Sequence, residues 1–305
     1  MLDVVLLGTG GMMPMPNRFL SSMMLRVNGR LVLVDCGEGT QVSLKNVGWG
    51  FKNIDAILFT HYHADHISGL PGMLLAIANA GRTEPLALFG PKGLMYVVDG
   101  LRRIAQELPF LIEFYELGKP DNDSYQVAGL EMAFLPVEHS VPCLAYQFSL
   151  RRQGRFDAEK AKALGLPRQY WSKLQRGDEV EVNGKTYTKE MVLGEERKGL
   201  KLTYCTDSRP TPQLPHFAQN SDLFVCEGMY GEEEKLPKAL QNKHMLFREA
   251  AQLAKEAKAK RLWLTHFSPA LKEPELYLDT AQAVFSTTEL GFDGKMDTLL
   301  FCQEG

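Results

Sequence analysis

Apolar runs of four to seven residues, separated by polar breaks, mark the first sixty positions of the chain: Val4–Leu7, Ser22–Val27, Leu31–Asp35 and Ile54–Thr60. They read as β-strands, and Asn28-Gly29 supplies the tight turn of a hairpin between the second and third. Apolar positions then recur at helical spacing in Pro71–Asn79 and Gly93–Glu107, with further strands expected at Leu86–Phe89, Ile112–Leu117, Leu130–Pro136 and Cys143–Leu150. Later, Leu202–Cys205 and Leu223–Cys226 are strand-like, Met245–Ala259 sets apolar residues at helical spacing among Ala, Glu and Lys, and Arg261–Thr265 returns to strand. Such alternation predicts a mixed α/β layered fold. Arg151–Arg176 breaks the rhythm: it is polar, lacks strand periodicity and carries Phe156, Tyr170 and Trp171 among its charges.

Composition narrows the picture. At 305 residues, 45% hydrophobic and 23% charged, the chain can bury a large core and lacks the bias of a disordered one. A single domain over 1–305 is expected, with 151–176 inserted as an arm. The net charge of -3 excludes a global positive field. The arm differs, with eight Lys and Arg against two acids, and its interleaved aromatics point to phosphate binding. Five cysteines (Cys36, Cys143, Cys205, Cys226 and Cys302) without CxxC spacing fit a reduced compartment. Asp3 stands where a signal peptide would carry a base, and no apolar run approaches the ~20 residues of a membrane span, so a cytoplasmic protein is expected.

The strongest chemical signal is Thr60-His61-Tyr62-His63-Ala64-Asp65-His66, directly after the strand Ile54–Phe59. A His-x-His pair at a strand end can turn both rings into one pocket, while Asp65 and His66 turn back toward a neighbouring ion, so one loop can seed two metal sites. A metal needs about four donors, and three further candidates each sit just past an apolar strand. They are His139 in Val-Glu-His-Ser, Asp207 in Thr-Asp-Ser-Arg-Pro and His266 in Leu-Thr-His-Phe-Ser-Pro. Their common position predicts convergence on one edge of the sheets. His216, between Pro215 and Phe217, has no preceding strand and reads as structural. Gly8-Thr9-Gly10-Gly11 lacks the third spaced glycine and the distal acid of a dinucleotide site.

With these residues in view, the chain resembles the metallo-β-lactamase superfamily, whose His-x-His-x-Asp-His loop is matched by His61, His63, Asp65 and His66. Within it the chain is most similar to the ribonuclease Z family of tRNA 3′-end endonucleases. That similarity rests on Gly8-Thr9-Gly10-Gly11, Asp35-Cys36-Gly37-Glu38-Gly39-Thr40-Gln41, Gly69-Leu70-Pro71-Gly72 and the arm segments Phe156–Gly165 and Lys173–Gly177. The resemblance implies a four-layer αββα sandwich with a protruding tRNA-binding arm and two Zn2+, with Mn2+ or Fe2+ also suited to the donors. His61, His63 and His139 would hold the first ion, Asp65, His66 and His266 the second, and Asp207 would bridge. It further implies hydroxide attack on the phosphodiester, with Asp65 orienting or deprotonating the nucleophile. His244, at the opening of the helix Met245–Ala259, would be the general acid, held by Glu227. The implied partner is precursor tRNA, gripped by a homodimer.

The chain departs from that family in particular places. Cys226-Glu227-Gly228-Met229 replaces His-Glu-Ala-Thr, His244-Met245-Leu246 replaces a His-Ser/Met-Thr loop, and Pro14–Phe19 only partly matches the loop linked to CCA discrimination. The arm also lacks a Gly-Pro element near Arg168–Trp171. Two other readings stay open: a dizinc hydrolase of a small phosphodiester, sulfate ester or lactone, and a catalytically silent RNA-binding protein on the same scaffold.

Overall fold

The structure is a computed structural model describing residues 1–105, 107–118 and 124–302. In chain order, β1 (Leu2–Gly8), β2 (Ser22–Val27), β3 (Arg30–Val34), β4 (Ile54–Leu58), β5 (Leu86–Pro91) and β6 (Ile112–Leu117) build a first sheet. The second sheet begins with β7 (Tyr125–Val127), β8 (Leu130–Val137) and β9 (Cys143–Arg152); β10 (Val180–Val182) and β11 (Lys185–Tyr187) form a separate hairpin. The second sheet resumes with β12 (Arg197–Cys205), β13 (Leu223–Glu227), β14 (Leu262–Thr265) and β15 (Thr288–Leu290), and β16 (Met296–Leu299) pairs with β1 in the first. Strand orders are β16-β1-β2-β3-β4-β5-β6 and β15-β14-β13-β12-β9-β8-β7. In each sheet one half is antiparallel, while β3 to β6 and β12 to β15 run parallel.

Burial explains why these strands read as continuous apolar runs. Val5 and Leu7 of β1 join Leu33, Ile57 and Leu88 under the helices Thr40–Val47, Leu70–Asn79 and Leu94–Leu101, which contribute Leu44, Met73, Leu74, Ile77, Leu94 and Val98. Val4 and Leu6, on the alternate face of the same strand, are equally buried. Strands covered on both sides lose the in-out alternation of a solvated sheet. The helix Phe247–Glu256 lays Phe247, Ala250, Ala251 and Ala254 on Phe224, Cys226, Leu262 and Leu264 of the second sheet. Hydrogen bonds from Leu144 N to Thr60 O and from Tyr146 Oη to Phe59 O tie β9 to the end of β4. Among the described residues, no helix is long and apolar enough to cross a membrane.

Some elements differ from expectation. The helix expected over Gly93–Glu107 is a helix over Leu94–Leu101 followed by a 3-10 turn at Arg102–Ile104, and Gln106 lies outside the described residues. The helix expected from Met245 starts at Phe247, because the Glu249 carboxylate accepts from Leu246 N at 2.9 Å and caps it there. His244 therefore lies in the turn ahead of the helix. The helix Thr40–Val47 and the short strands β15 and β16 carry too little periodicity to have been read from sequence.

Arg151–Gly199, with Phe301 and Cys302, forms a second compact unit that extends well past Arg176. It has its own small core of Ala161, Leu166, Leu174, Val180, Tyr187 and Val192, against which Phe156, Tyr170 and Trp171 pack. The rings of Phe156 and Trp171 lie 5.3 Å apart, and Trp171 Nε1 donates to Leu166 O at 3.0 Å. These partly buried aromatics pack against the unit's own core, because so small a unit has few other apolar groups to bury. Its residues 177–199 add six acids and four bases, so the positive charge is concentrated in 151–176.

The turn that seats the histidine loop depends on two glycines whose backbones touch. A Cβ on Gly37 would lie 2.0 Å from Asp65 O, and one on Gly69 would lie 2.0 Å from Gly37 O. Cys36 N donates to His66 O at 2.7 Å and Gly69 N to Cys36 O at 2.9 Å across the same approach. Gly37→Ala should therefore cost about 1–3 kcal/mol of stability or more, as overpacking does. Gly100→Ala, in the helix Leu94–Leu101 with open space around its Cα, should be neutral or stabilising by up to about 1 kcal/mol. Urea unfolding of both variants checks the contrast, and equal effects would remove the close approach as the reason for glycine.

Candidate metal centre

Parallel strands release their chains at a common edge, and this edge collects the polar residues that follow them. The chain leaves β4 into Thr60 and His61, β12 into Thr206 and Asp207, and β14 into His266, while antiparallel β8 delivers His139 after Glu138. The register pairs Cys205 with Cys226 and Cys226 with Leu264, so Asp207 and His266 emerge level with each other on either side of Gly228. Asp207 and His266 take left-handed backbone conformations, with φ of 52° and 59°. Non-glycine residues adopt this region rarely, and here it turns the side chains sharply out of the strands into the pocket.

The donors gather in two groups. His61 Nε2 lies 2.9 Å from His63 Nδ1, which lies 3.3 Å from His139 Nε2. Asp65 Oδ2 lies 3.6 Å from His66 Nε2 and 3.8 Å from His266 Nε2. Asp207 sits between the groups: its Oδ1 is 3.2 Å from both His66 Nε2 and His266 Nε2, and its Oδ2 is 3.9 Å from His61 Nε2 and 3.8 Å from His139 Nε2. All seven expected ligands are thus brought together, and His216, in the short helix Leu214–Phe217, belongs to none of these groups.

The residues present fit metal ions. His66 Nε2, His266 Nε2 and Asp207 Oδ1 are buried and have no hydrogen-bond partner, although each points at a crowded neighbourhood of other donors. Buried polar atoms are normally paired, so a convergent set of orphans marks a place for a cation. A Cβ on Gly11 would fall 2.7 Å from the His266 ring, so the glycine keeps this side of the cradle open. Imidazoles with one or two carboxylates are the donor chemistry of zinc and its neighbours in the first transition series.

Further residues hold the donors in place, and one was missed in the sequence. Asp35 is fully buried behind the histidine loop; its Oδ2 lies 2.9 Å from His66 Nδ1, and it accepts from Thr60 N at 2.8 Å and from Thr60 Oγ1. Thr60 Oγ1 in turn lies 3.0 Å from His61 Nδ1. One carboxylate thereby orients two rings, directly and through a hydroxyl. Asp35 also follows an apolar strand, β3, and turns at φ 60°, the same signal that marked Asp207 and His266. Met12 N donates to Asp65 Oδ2 at 2.7 Å, and His139 Nδ1 lies 3.4 Å from Lys243 O.

Electrostatics follow the arrangement. Burial pushes the Asp207 carboxyl up, but the charges of His266, His66 and His61 outweigh it and hold it well below the usual carboxylate range. Burial, together with His66, pulls the His61 imidazolium down. Burial alone would also depress His244, yet the Glu227 carboxylate, with its Oε2 3.2 Å from His244 Nδ1, pushes it up to about 9. Glu227 is fully buried and also accepts from Ser208 N at 2.6 Å and Met245 N at 3.0 Å. The expected Glu227–His244 pair is therefore present, and His244 Nδ1 stands 4.0 Å from Asp207 Oδ2.

Known proteins share this fold and sequence. A family model described as anti-Pycsar protein Apyc1 matches residues 2–159, the part that carries the histidine loop and His139. Human tRNase Z, short form, shares the fold at a TM-score of 0.70 and 23% identity, over 98% of this chain and 100% of that one. The metallo-β-lactamase fold protein YhfI from Bacillus subtilis does so at 0.70 and 20% identity, over 97% and 98%. In sequence, ribonuclease Z of Clostridium acetobutylicum is 53% identical over 306 residues, 99% of each chain, and ribonuclease Z of Lachnospira eligens is 53% identical over 305 residues, 100% of each. Matched along its whole length by such relatives, the chain belongs to the ribonuclease Z family, metal-dependent endoribonucleases built on the metallo-β-lactamase fold.

Proposed function

We propose that this chain removes the 3′ trailer from precursor tRNA, leaving a 3′-hydroxyl on the tRNA, with two Zn2+ in the pocket. The observation that carries the reading is the convergence of His61, His63 and His139 on one side and Asp65, His66 and His266 on the other, with Asp207 between them. Ions held there supply Lewis acidity toward the phosphate and acidify water, and Mn2+ or Fe2+ suits the same donors. Asp65 orients the attacking water and accepts its proton, its carboxylate being steadied by Met12 N. His244 keeps its Nδ1 proton on Glu227, which leaves Nε2 to protonate the ribose 3′-oxygen as the P–O bond breaks. The concentrated bases of 151–176 support binding of a long polyanion over binding of a small ester.

In this reading Asp207→Ala lowers the bound metal from about two ions per chain by reducing the occupancy of both sites, since it removes the donor that lies between the two groups. Elemental analysis of purified protein checks this; full retention of metal would show that Asp207 does not bridge.

His244→Ala should slow single-turnover cleavage of precursor tRNA by roughly 10²–10⁴ while leaving metal content and RNA affinity near those of the wild type. An unchanged rate would exclude His244 as the acid.

Replacing 153–196 with a short Gly/Ser linker separates tRNA from a small ester as the substrate. Precursor-tRNA affinity should fall by ~10-fold or more and lose much of its salt dependence, while hydrolysis of bis(p-nitrophenyl) phosphate persists. Undiminished tRNA binding with an unchanged salt slope would favour the small-ester hydrolase.

A further inference from the structure

Three consecutive residues leave β12 for different destinations. Asp207 enters the metal pocket, Ser208 N holds the Glu227 carboxylate, and Arg209 reaches across to the loop that carries His244. Its guanidinium donates from Nη1 to the His244 carbonyl and, at 2.8 Å, to Glu249 Oε2, and from Nη2 to Glu249 Oε1. Its backbone N donates to Glu138 O at 2.9 Å, one residue before His139. The side chains of Arg209 and Glu249 are only 11% and 17% exposed, so the pair is well shielded from water. Glu249 is the same residue that caps Leu246 N.

The consequence falls on one residue. His244 N is held by Ala239 O at 2.9 Å, its carbonyl is held by Arg209, and the next amide, Met245 N, is held by Glu227. The peptide groups on both sides of the imidazole are therefore fixed, and two of the three anchors trace back to the loop of Asp207: Arg209 directly, and Glu227 through Ser208 N. We propose that Arg209 is a positioning residue for proton delivery: it fixes the loop of His244 relative to Asp207, so that the imidazole meets the leaving oxygen in one geometry. An arginine is required because its planar fork serves a carbonyl and both oxygens of a carboxylate at once, whereas a lysine ammonium is a single point charge. Misplacing a reacting group by about 1 Å can cost ~10²-fold in rate, which makes such a clamp worth keeping. The inference rests on His244 being the acid, and it adds a prediction about leaving groups. Only a leaving oxygen that must be protonated should depend on Arg209. A ribose 3′-oxygen must be; a p-nitrophenolate departs as the anion.

The test compares Arg209→Ala and Arg209→Lys with the wild type on precursor tRNA and on bis(p-nitrophenyl) phosphate, with metal content measured in parallel. The expected result is a fall in kcat on tRNA of roughly 10–10²-fold with KM unchanged, hydrolysis of the nitrophenyl ester within about twofold, and full metal. Adding Arg209→Ala to His244→Ala should cost little more than His244→Ala alone, because the two act through one proton transfer. Equal losses on both substrates, additive losses in the double variant, or an unchanged kcat on tRNA would each overturn the proposal. Should Arg209→Ala shed its metal, Glu249→Gln opens the same clamp without touching the Asp207 loop and must show the same selectivity. Should the wild type not cut precursor tRNA, the tRNA reading fails separately, and the contrast is read on a dinucleoside phosphate, whose leaving group is also a ribose oxygen.

Discussion

The carboxylate of Asp207, only 2% exposed, lies within 4.0 Å of five imidazoles, those of His61, His66, His139, His244 and His266. A buried anion needs compensating positive charge, and these rings cannot supply it by all becoming protonated. Burial and mutual repulsion pull His61 and His139 down even with the anion beside them. Cations would add to that compensation, and unpartnered nitrogens with an unpartnered carboxylate oxygen are the atoms that would receive them. The surrounding structure can be read as what is needed to hold this otherwise unfavourable cluster together.

Two features of the sheets do most of that holding. The parallel halves, β3 to β6 and β12 to β15, end their strands at a common edge, so residues distant in sequence arrive at one height. Their buried faces make the strand ends rigid, and sharp left-handed turns at Asp35, Asp207 and His266 then redirect each side chain. Such strained positions persist only where packing on every side over-determines them. The touching backbones at Gly37 and Gly69 provide this around the histidine loop.

Around the donors lies a layer of residues whose chemistry is orientation. Asp35 acts on His66 directly and on His61 through Thr60; Glu227 acts on His244; the Arg209–Glu249 pair acts on the backbone that carries His244. Each is buried or nearly so, where hydrogen bonds to charged groups are stronger and loss of one partner is costly. The cluster of histidines and carboxylates and the Glu227–His244 pair are therefore joined through the loop Asp207–Arg209.

The sequence by itself determined the kind of fold and picked out the seven side chains that folding brings together. Apolar runs such as Val4–Leu7 and Ile54–Phe59 reported buried strands because both faces of those strands are covered, and the crowding of His61, His63, Asp65 and His66 reported metal because such residues side by side have little other use. His139, Asp207 and His266 were legible because each follows an apolar strand. Asp35 was hidden because the apolar run reads as a strand through Leu31–Asp35, whereas the strand ends at Val34 and Asp35 turns away from it. Only the tertiary structure decided which residues orient the donors, that His244 lies in a turn ahead of its helix, and that Phe156, Tyr170 and Trp171 are turned into the small core of residues 151–199. The physical reason is range: periodicity and neighbouring donors are local properties written along the chain, whereas Arg209 meeting Glu249, or a ring choosing a core over solvent, depends on which distant segments folding brings within a few ångströms.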